Sequence, residues 1–189
     1  MADSKTIAAI STPNAVGGIS VLRISGPEAI AAADRVFRPV SGKPLASHKG
    51  YTAAYGTIFD GEDTLDDVVA TVFLGPKSYT GEDVVEISCH GGLYVTRRIL
   101  MAIIKQGVSL AGPGEFTKRA FLNGKMSLTQ AEGVADLIMA SGQQGLRSAR
   151  GPMQRELHRK IRSCTVRLLT VRGHIAAYMD YPEEEIHPL

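Results

Sequence analysis

Two charged residues interrupt segments that otherwise read as apolar strands. Arg23 lies within GGISVLRISG at 17–26, and Glu86 lies within EDVVEISCHGG at 82–92. A guanidinium or a carboxylate in such a place must be paired or must face a polar cavity, because burying it alone is very costly. Arg23 and Glu86 could answer one another as a salt bridge, or both could line one pocket. Sequence spacing leaves both arrangements open, and on spacing alone the salt bridge is the better bet. His90 precedes Gly91-Gly92 and is a candidate base or ligand, although a lone histidine at a strand end is more often a hydrogen-bonded structural residue. A third stretch, GPGEFTKRAFLNGK at 112–125, starts as a Gly/Pro turn, continues as a short amphipathic helix and ends in Asn123-Gly124-Lys125. Asn-Gly favours a turn with positive φ, which would present Lys125 at the edge of the fold. An exposed turn lysine is the ordinary reading of that position.

Metal and familiar hydrolase chemistry find no support. No second His or Cys stands near His90 at ligand spacing. Cys89 and Cys164 are far apart, form no CxxC and make no disulfide framework, which fits a reduced cytoplasm. The P-loop pattern GxxxxGK[ST] is absent, as are GxSxG and HExxH. No apolar run approaches the ~20 residues of a membrane span, and the start MADSK lacks the features of a secretory signal.

The elements that must position these residues read as mixed α/β in the first two-thirds. Strands are expected at 6–10 and 18–24, followed by a helix from Pro27 to about Val36 with Ser25 and Glu28 as a capping box. Residues 38–50 read as a loop. Strands at 51–59 and 67–74 flank an acidic connection at 60–66. A strand at 84–89 is expected to be buried partly on both faces, and Gly91-Gly92 turns the chain into a helix at 93–105 closed by Gly107. Such intermixing suggests a sheet with helices packed on it.

The last third changes character. Ser127 and Gln130 form a capping-box pattern that opens a helix to about Ser141. A long helical stretch then runs to about Tyr178, with a break or kink at Pro152. Leu157, Ile161, Cys164, Leu168, Val171, Ile175 and Tyr178 recur at alternating spacings of four and three, a heptad-like seam that needs a partner. The 189 residues are 44% hydrophobic and 21% charged, as in an ordinary globular chain. The formal net charge of +2 conceals segregation. Residues 143–174 hold eight Lys/Arg against the single acid Glu156, whereas residues 175–189 hold four acids and no Lys/Arg. A basic stretch can meet phosphate, but on charge alone a solvated helix face is the favoured reading.

At GGISVLRISG, YTGEDVVEISCHGG, PGEFTKRAFLNGKMSLTQAEGVADLI and DYPEEEI, the chain closely resembles the N-terminal region of the MnmE/TrmE tRNA-modification GTPases. The resemblance covers nearly the whole chain apart from about 38–65. It implies an α+β domain at 1–122, similar to the tetrahydrofolate-binding fold of aminomethyltransferases, and a partial all-helical domain at 123–189. It implies that the first domain dimerises and binds 5-formyltetrahydrofolate or a related reduced folate. The family's folate contacts fall here on Arg23, Glu86 and Lys125; no residue is assigned as catalytic or as a metal ligand. It further implies a cytoplasmic enzyme that works with tRNA and the flavin-dependent partner MnmG/GidA on C5 of the wobble uridine. GTP, Mg2+ and K+ would belong to a GTPase domain for which this chain has no P-loop, so the chain alone is expected to be inactive. The alternatives are a structural or tRNA-binding module working through residues 143–174, and a stand-alone folate-dependent aminomethyltransferase. The second would need a catalytic acid or base, for which His90 is the candidate.

Overall fold

The computed structural model describes residues 5–146 and 155–180, the latter without the side chains of 155–158. The chain divides into two compact units, Met1–Lys125 and Met126–Leu189. The first is built on seven strands: β1 (Ile7–Ile10), β2 (Ile19–Ser25), β3 (Phe37–Pro39), β4 (Thr52–Asp60), β5 (Asp63–Phe73), β6 (Val84–His90) and β7 (Ser109–Leu110). Their spatial order is β3-β4-β5-β6-β2-β1-β7. All neighbours are antiparallel except β1 and β7, which are parallel.

Helices α1 (Ala29–Asp34) and α2 (Leu93–Ile104) cover one face of this sheet. Alternation along the strands explains why that face is dry. Leu22 and Ile24 of β2, Val68, Ala70 and Val72 of β5, and Val85 and Ile87 of β6 are buried there. They meet Ala29, Ala32 and Ala33 of α1, whose small side chains allow a close approach, and Ile99, Ala102 and Ile103 of α2. Each of the larger aliphatic side chains contributes about 1.5–3 kcal/mol by leaving water. The residues between them point the other way. Register places Ala9, Arg23, Glu86 and Thr71 side by side across β1, β2, β6 and β5, with Val21, Ser88, Val69 and Tyr55 in the neighbouring row. Arg23 and Glu86 are partly exposed, and Tyr55 and Val69 are exposed.

Several sequence expectations require correction. Ser25 does not cap α1: its hydroxyl bonds to Thr80 and Glu82, and the Glu28 amide donates instead to Thr6 Oγ1. The stretch read as a loop contains most of β3 and a 3-10 turn at Leu45–Ser47, held by Asp34, whose carboxylate accepts from the Leu45 and Ala46 amides. The acidic connection is mostly strand. β4 and β5 pair through to Asp60 and Asp63, leaving a turn at Gly61-Glu62, because Arg98 and Lys105 neutralise Asp60 and Arg98 neutralises Asp63. The two-residue β7 carried no periodic signal. The reading of β6 stands: Val84, Val85, Ile87 and Cys89 are buried.

In the second unit, α4 (Leu128–Met139) opens with the expected capping box. Ser127 Oγ accepts from the Gln130 amide at 3.2 Å, and Gln130 Oε1 accepts from the Ser127 amide at 2.8 Å. Helix α5 (Arg155–Asp180) passes through Gly173 without a break. Ile161, Leu168, Val171, Ile175 and Tyr178 of its heptad-like seam are exposed, as is Cys164. Pro152, the Leu157 side chain and the acidic end beyond Asp180 lie outside the described residues. Among the described residues no helix is long and apolar enough to cross a membrane.

Candidate functional site on the open face of the sheet

Arg23 and Glu86 stand directly opposite each other in the antiparallel register of β2 and β6. Arg23 Nε donates to Glu86 Oε1 at 2.8 Å, and Nη2 stands 2.7 Å from the same oxygen as an ion pair. Both nitrogens approach one oxygen. Among the described residues no donor reaches Glu86 Oε2. The side chains are 22% and 27% exposed, so the pair is neither sealed in the core nor fully solvated. A carboxylate held in this way retains an oxygen able to accept a further hydrogen bond.

Lys125 lies beyond the end of α3 (Glu115–Leu122). Its Nζ donates to the Pro76 carbonyl at 2.7 Å, and the exposed side chain lies along Gly81. At Gly81 the backbone adopts φ +82°, and an added Cβ would come within 3.3 Å of Lys125 Cγ. The positive φ favours glycine, and an added side chain would also press on Lys125. The structure thus joins Arg23 to Glu86 directly, and ties Lys125 to the strap between β5 and β6, residues 74–83, which also carries Tyr79.

That strap is pinned along its length. Tyr51 Oη donates to the Lys77 carbonyl at 2.6 Å, the Gly75 amide to Asp83 Oδ1 at 2.9 Å, and Asn123 Nδ2 to the Thr80 carbonyl at 2.8 Å. Beneath it lies a polar knot. Ser25 Oγ donates to Glu82 Oε2 at 2.7 Å, so the Thr80 hydroxyl, 2.7 Å away, donates to Ser25. Arg119 of α3 reaches both oxygens of Glu82, at 3.1 and 3.2 Å, and Glu115 Oε1 at 3.2 Å. The Gly112 amide donates to the other oxygen of Glu115 at 2.7 Å. This bond, followed by Arg119, holds the Glu115 carboxyl below its ordinary range. A cleft of about 270 Å³ adjoins the knot, lined by residues including Lys5, Leu110 and Lys118.

His90 plays a different part. Its Nδ1 is 2.7 Å from Asp66 Oδ1, and its backbone amide donates to Asp66 Oδ2 at 2.7 Å. The hydrogen bond to Asp66, reinforced by that residue's charge, raises the imidazole above its ordinary value. His90 shares a face with Glu86 but is four residues along the strand, about 13 Å away at strand rise. His90 is thus hydrogen-bonded to Asp66 and stands apart from the Arg23–Glu86 pair. Cys89 is buried, and burial pushes its thiol up. Among the described residues no cluster of three or more His, Cys, Asp or Glu could hold a metal ion.

The sequence reading missed the aromatic part of the site. Tyr79 and Phe116 lie over the Arg23 guanidinium, with ring centroids 4.9 and 5.4 Å from Cζ. The available signal was an aromatic residue in each of the two motifs flanking the charged strand positions, and apolar residues there are ordinarily assigned to packing.

Comparison with known proteins accounts for both units. A family model described as the GTP-binding protein TrmE N-terminus matches residues 6–125, and one described as the MnmE helical domain matches residues 128–189. A protein of Carboxydothermus hydrogenoformans named tRNA modification GTPase MnmE is 48% identical over 182 residues, 95% of this chain and 40% of the relative. Proteins of the same name from Symbiobacterium thermophilum and Nitratidesulfovibrio vulgaris are 45% and 44% identical over 96% and 100% of this chain. The chain spans about 40% of the length of these curated relatives. With both of its units matched in order, the chain belongs to the MnmE/TrmE family of tRNA modification GTPases and corresponds to its N-terminal and helical regions.

Proposed function

We propose that this chain is the reduced-folate-binding, dimerising portion of a cytoplasmic enzyme that modifies C5 of the wobble uridine of tRNA. The observation that carries the folate reading is Glu86: its Oε1 accepts from Arg23, and among the described residues no hydrogen bond engages its Oε2, on the sheet face opposite α1 and α2. A pterin edge offers a ring N–H beside an amino group, and a carboxylate is the complementary acceptor. Folate carboxylates, or the oxygens of the pterin and formyl group, would meet the cations Arg23 and Lys125. In this reading residues 1–122 form a domain akin to the tetrahydrofolate-binding fold of aminomethyltransferases, and residues 123–189 belong to the helical domain. GTP, Mg2+ and K+ are assigned to the GTPase domain of the full-length family, and MnmG/GidA is the flavin-dependent partner. The exposed apolar residues Tyr55 and Val69 supply surface suited to a homodimer of the first unit.

Calorimetric titration with 5-formyltetrahydrofolate tests the site. The expected result is saturable binding that Glu86→Ala removes while the variant keeps the wild-type unfolding midpoint. A folded wild-type chain that binds no reduced folate overturns the reading. Sedimentation velocity tests the dimer: a monomer at micromolar concentration removes that part of the proposal.

A further inference from the structure

Arg23 is held by more than its carboxylate. Tyr79 comes from the strap at 74–83 and Phe116 from α3, and both rings lie within the ~6 Å at which an aromatic face attracts a guanidinium. The two sources are joined: Tyr79 Oη and Thr117 Oγ1 are 2.9 Å apart. The rings lie over the guanidinium while its N–H rim serves Glu86. The form of that service is informative. An unconstrained Arg–carboxylate pair favours two parallel bonds, one to each oxygen. Here the hydrogen bond runs from Nε to Oε1, and Nη2 approaches that same oxygen at 2.7 Å rather than the other.

We infer that Tyr79 and Phe116 are positioning residues for the reduced-folate site. By holding the Arg23 guanidinium they fix the Glu86 carboxylate in the one-oxygen arrangement and keep Oε2 available to the ligand. This rests on the folate reading above and adds to it residues that touch no reacting group. A long arginine side chain samples many rotamers, and two rings from separate elements restrict it before the ligand arrives. The clamp also makes the site depend on the strap and α3 being docked together, although neither element contributes Arg23 or Glu86.

The test uses the whole chain, with Phe116→Leu and Tyr79→Leu, which keep apolar bulk but remove a ring. Tyr79→Phe keeps the ring and loses only the bond to Thr117. Without ligand, the Arg23 Nε–Hε resonance is expected to be displaced by the rings in wild type and in Tyr79→Phe. It should shift toward the position of a free arginine in each leucine variant. With 5-formyltetrahydrofolate, the leucine variants are expected to bind about five- to tenfold more weakly and Tyr79→Phe to bind near wild type. Leucine variants that bind as wild type overturn the inference. Weaker binding with an unmoved Arg23 resonance also overturns it, and makes the rings ligand contacts instead. If the wild type binds no folate, the functional reading fails separately. The resonance then decides whether the rings hold Arg23 at all.

Discussion

The two faces of the sheet are made by the same strands and obey different rules. On β2, Leu22 and Ile24 are fully buried while Arg23 between them is partly exposed; on β6, Val85 and Ile87 flank Glu86 in the same way. One face is closed by α1 and α2 and holds the fold together. The other is closed only locally, by the strap and α3, and presents a polar pair. A strand with period two thus separates stability from chemistry at neighbouring positions. The contrast is sharp enough to be broken by substitution one residue apart.

The largest effect is expected on the covered face. Ile87→Ala removes a fully buried side chain packed under the helices. Stability should fall by about 2–5 kcal/mol, read from urea unfolding, with folate affinity unchanged in the fraction that remains folded. One residue away, Glu86→Gln should do the reverse. A partly exposed ion pair contributes about 0–1 kcal/mol, so the unfolding midpoint should scarcely move. Folate affinity should fall about ten- to a hundredfold, because a neutral amide offers the ligand no charge-assisted acceptor. If Glu86→Gln destabilises the chain as much as Ile87→Ala, the open face is structural and the comparison fails.

Gly81→Ala is expected to be intermediate. It forces a side chain into φ +82° and against Lys125 Cγ. A cost of about 1 kcal/mol or more should appear in unfolding. Some loss of folate affinity should accompany it, since the strap also carries Tyr79. A stable Gly81→Ala chain would show that the strap yields more readily than its hydrogen bonds suggest.

Much of this was legible in the sequence because the strong signals are local. A charge inside a β-branched run identified Arg23 and Glu86, and Ser127 with Gln130 specified a cap that the structure contains. What was illegible depends on partners distant in sequence. Ser25 and Glu28 have the spacing of a cap, yet Thr80 and Glu82, more than fifty residues away, claim the Ser25 hydroxyl. The acids at 60–66 read as a loop because the neutralising Arg98 and Lys105 lie on α2. Tyr79 and Phe116 have no periodicity that distinguishes a clamp from core. The seam of α5 was legible as a pattern, but its covering was not: its described aliphatic members are exposed.

The smallest expected effect concerns His90, on the same open face four residues from Glu86. Asp66 raises its folded-state pKa. Its contribution to stability is therefore present below the ordinary histidine value and is lost as pH rises through the elevated folded value. NMR titration should give a His90 midpoint above that of a free histidine, and Asp66→Asn should bring it down. Because His90 is exposed and bonded away from the Arg23–Glu86 pair, this titration should not reach the ligand. Affinity for 5-formyltetrahydrofolate should stay flat between about pH 6 and about pH 8, after allowance for the ligand's own ionisation. An affinity that follows the His90 midpoint, and loses that dependence in Asp66→Asn, would extend the site along the whole of β6. It would also reopen an acid–base role for the histidine.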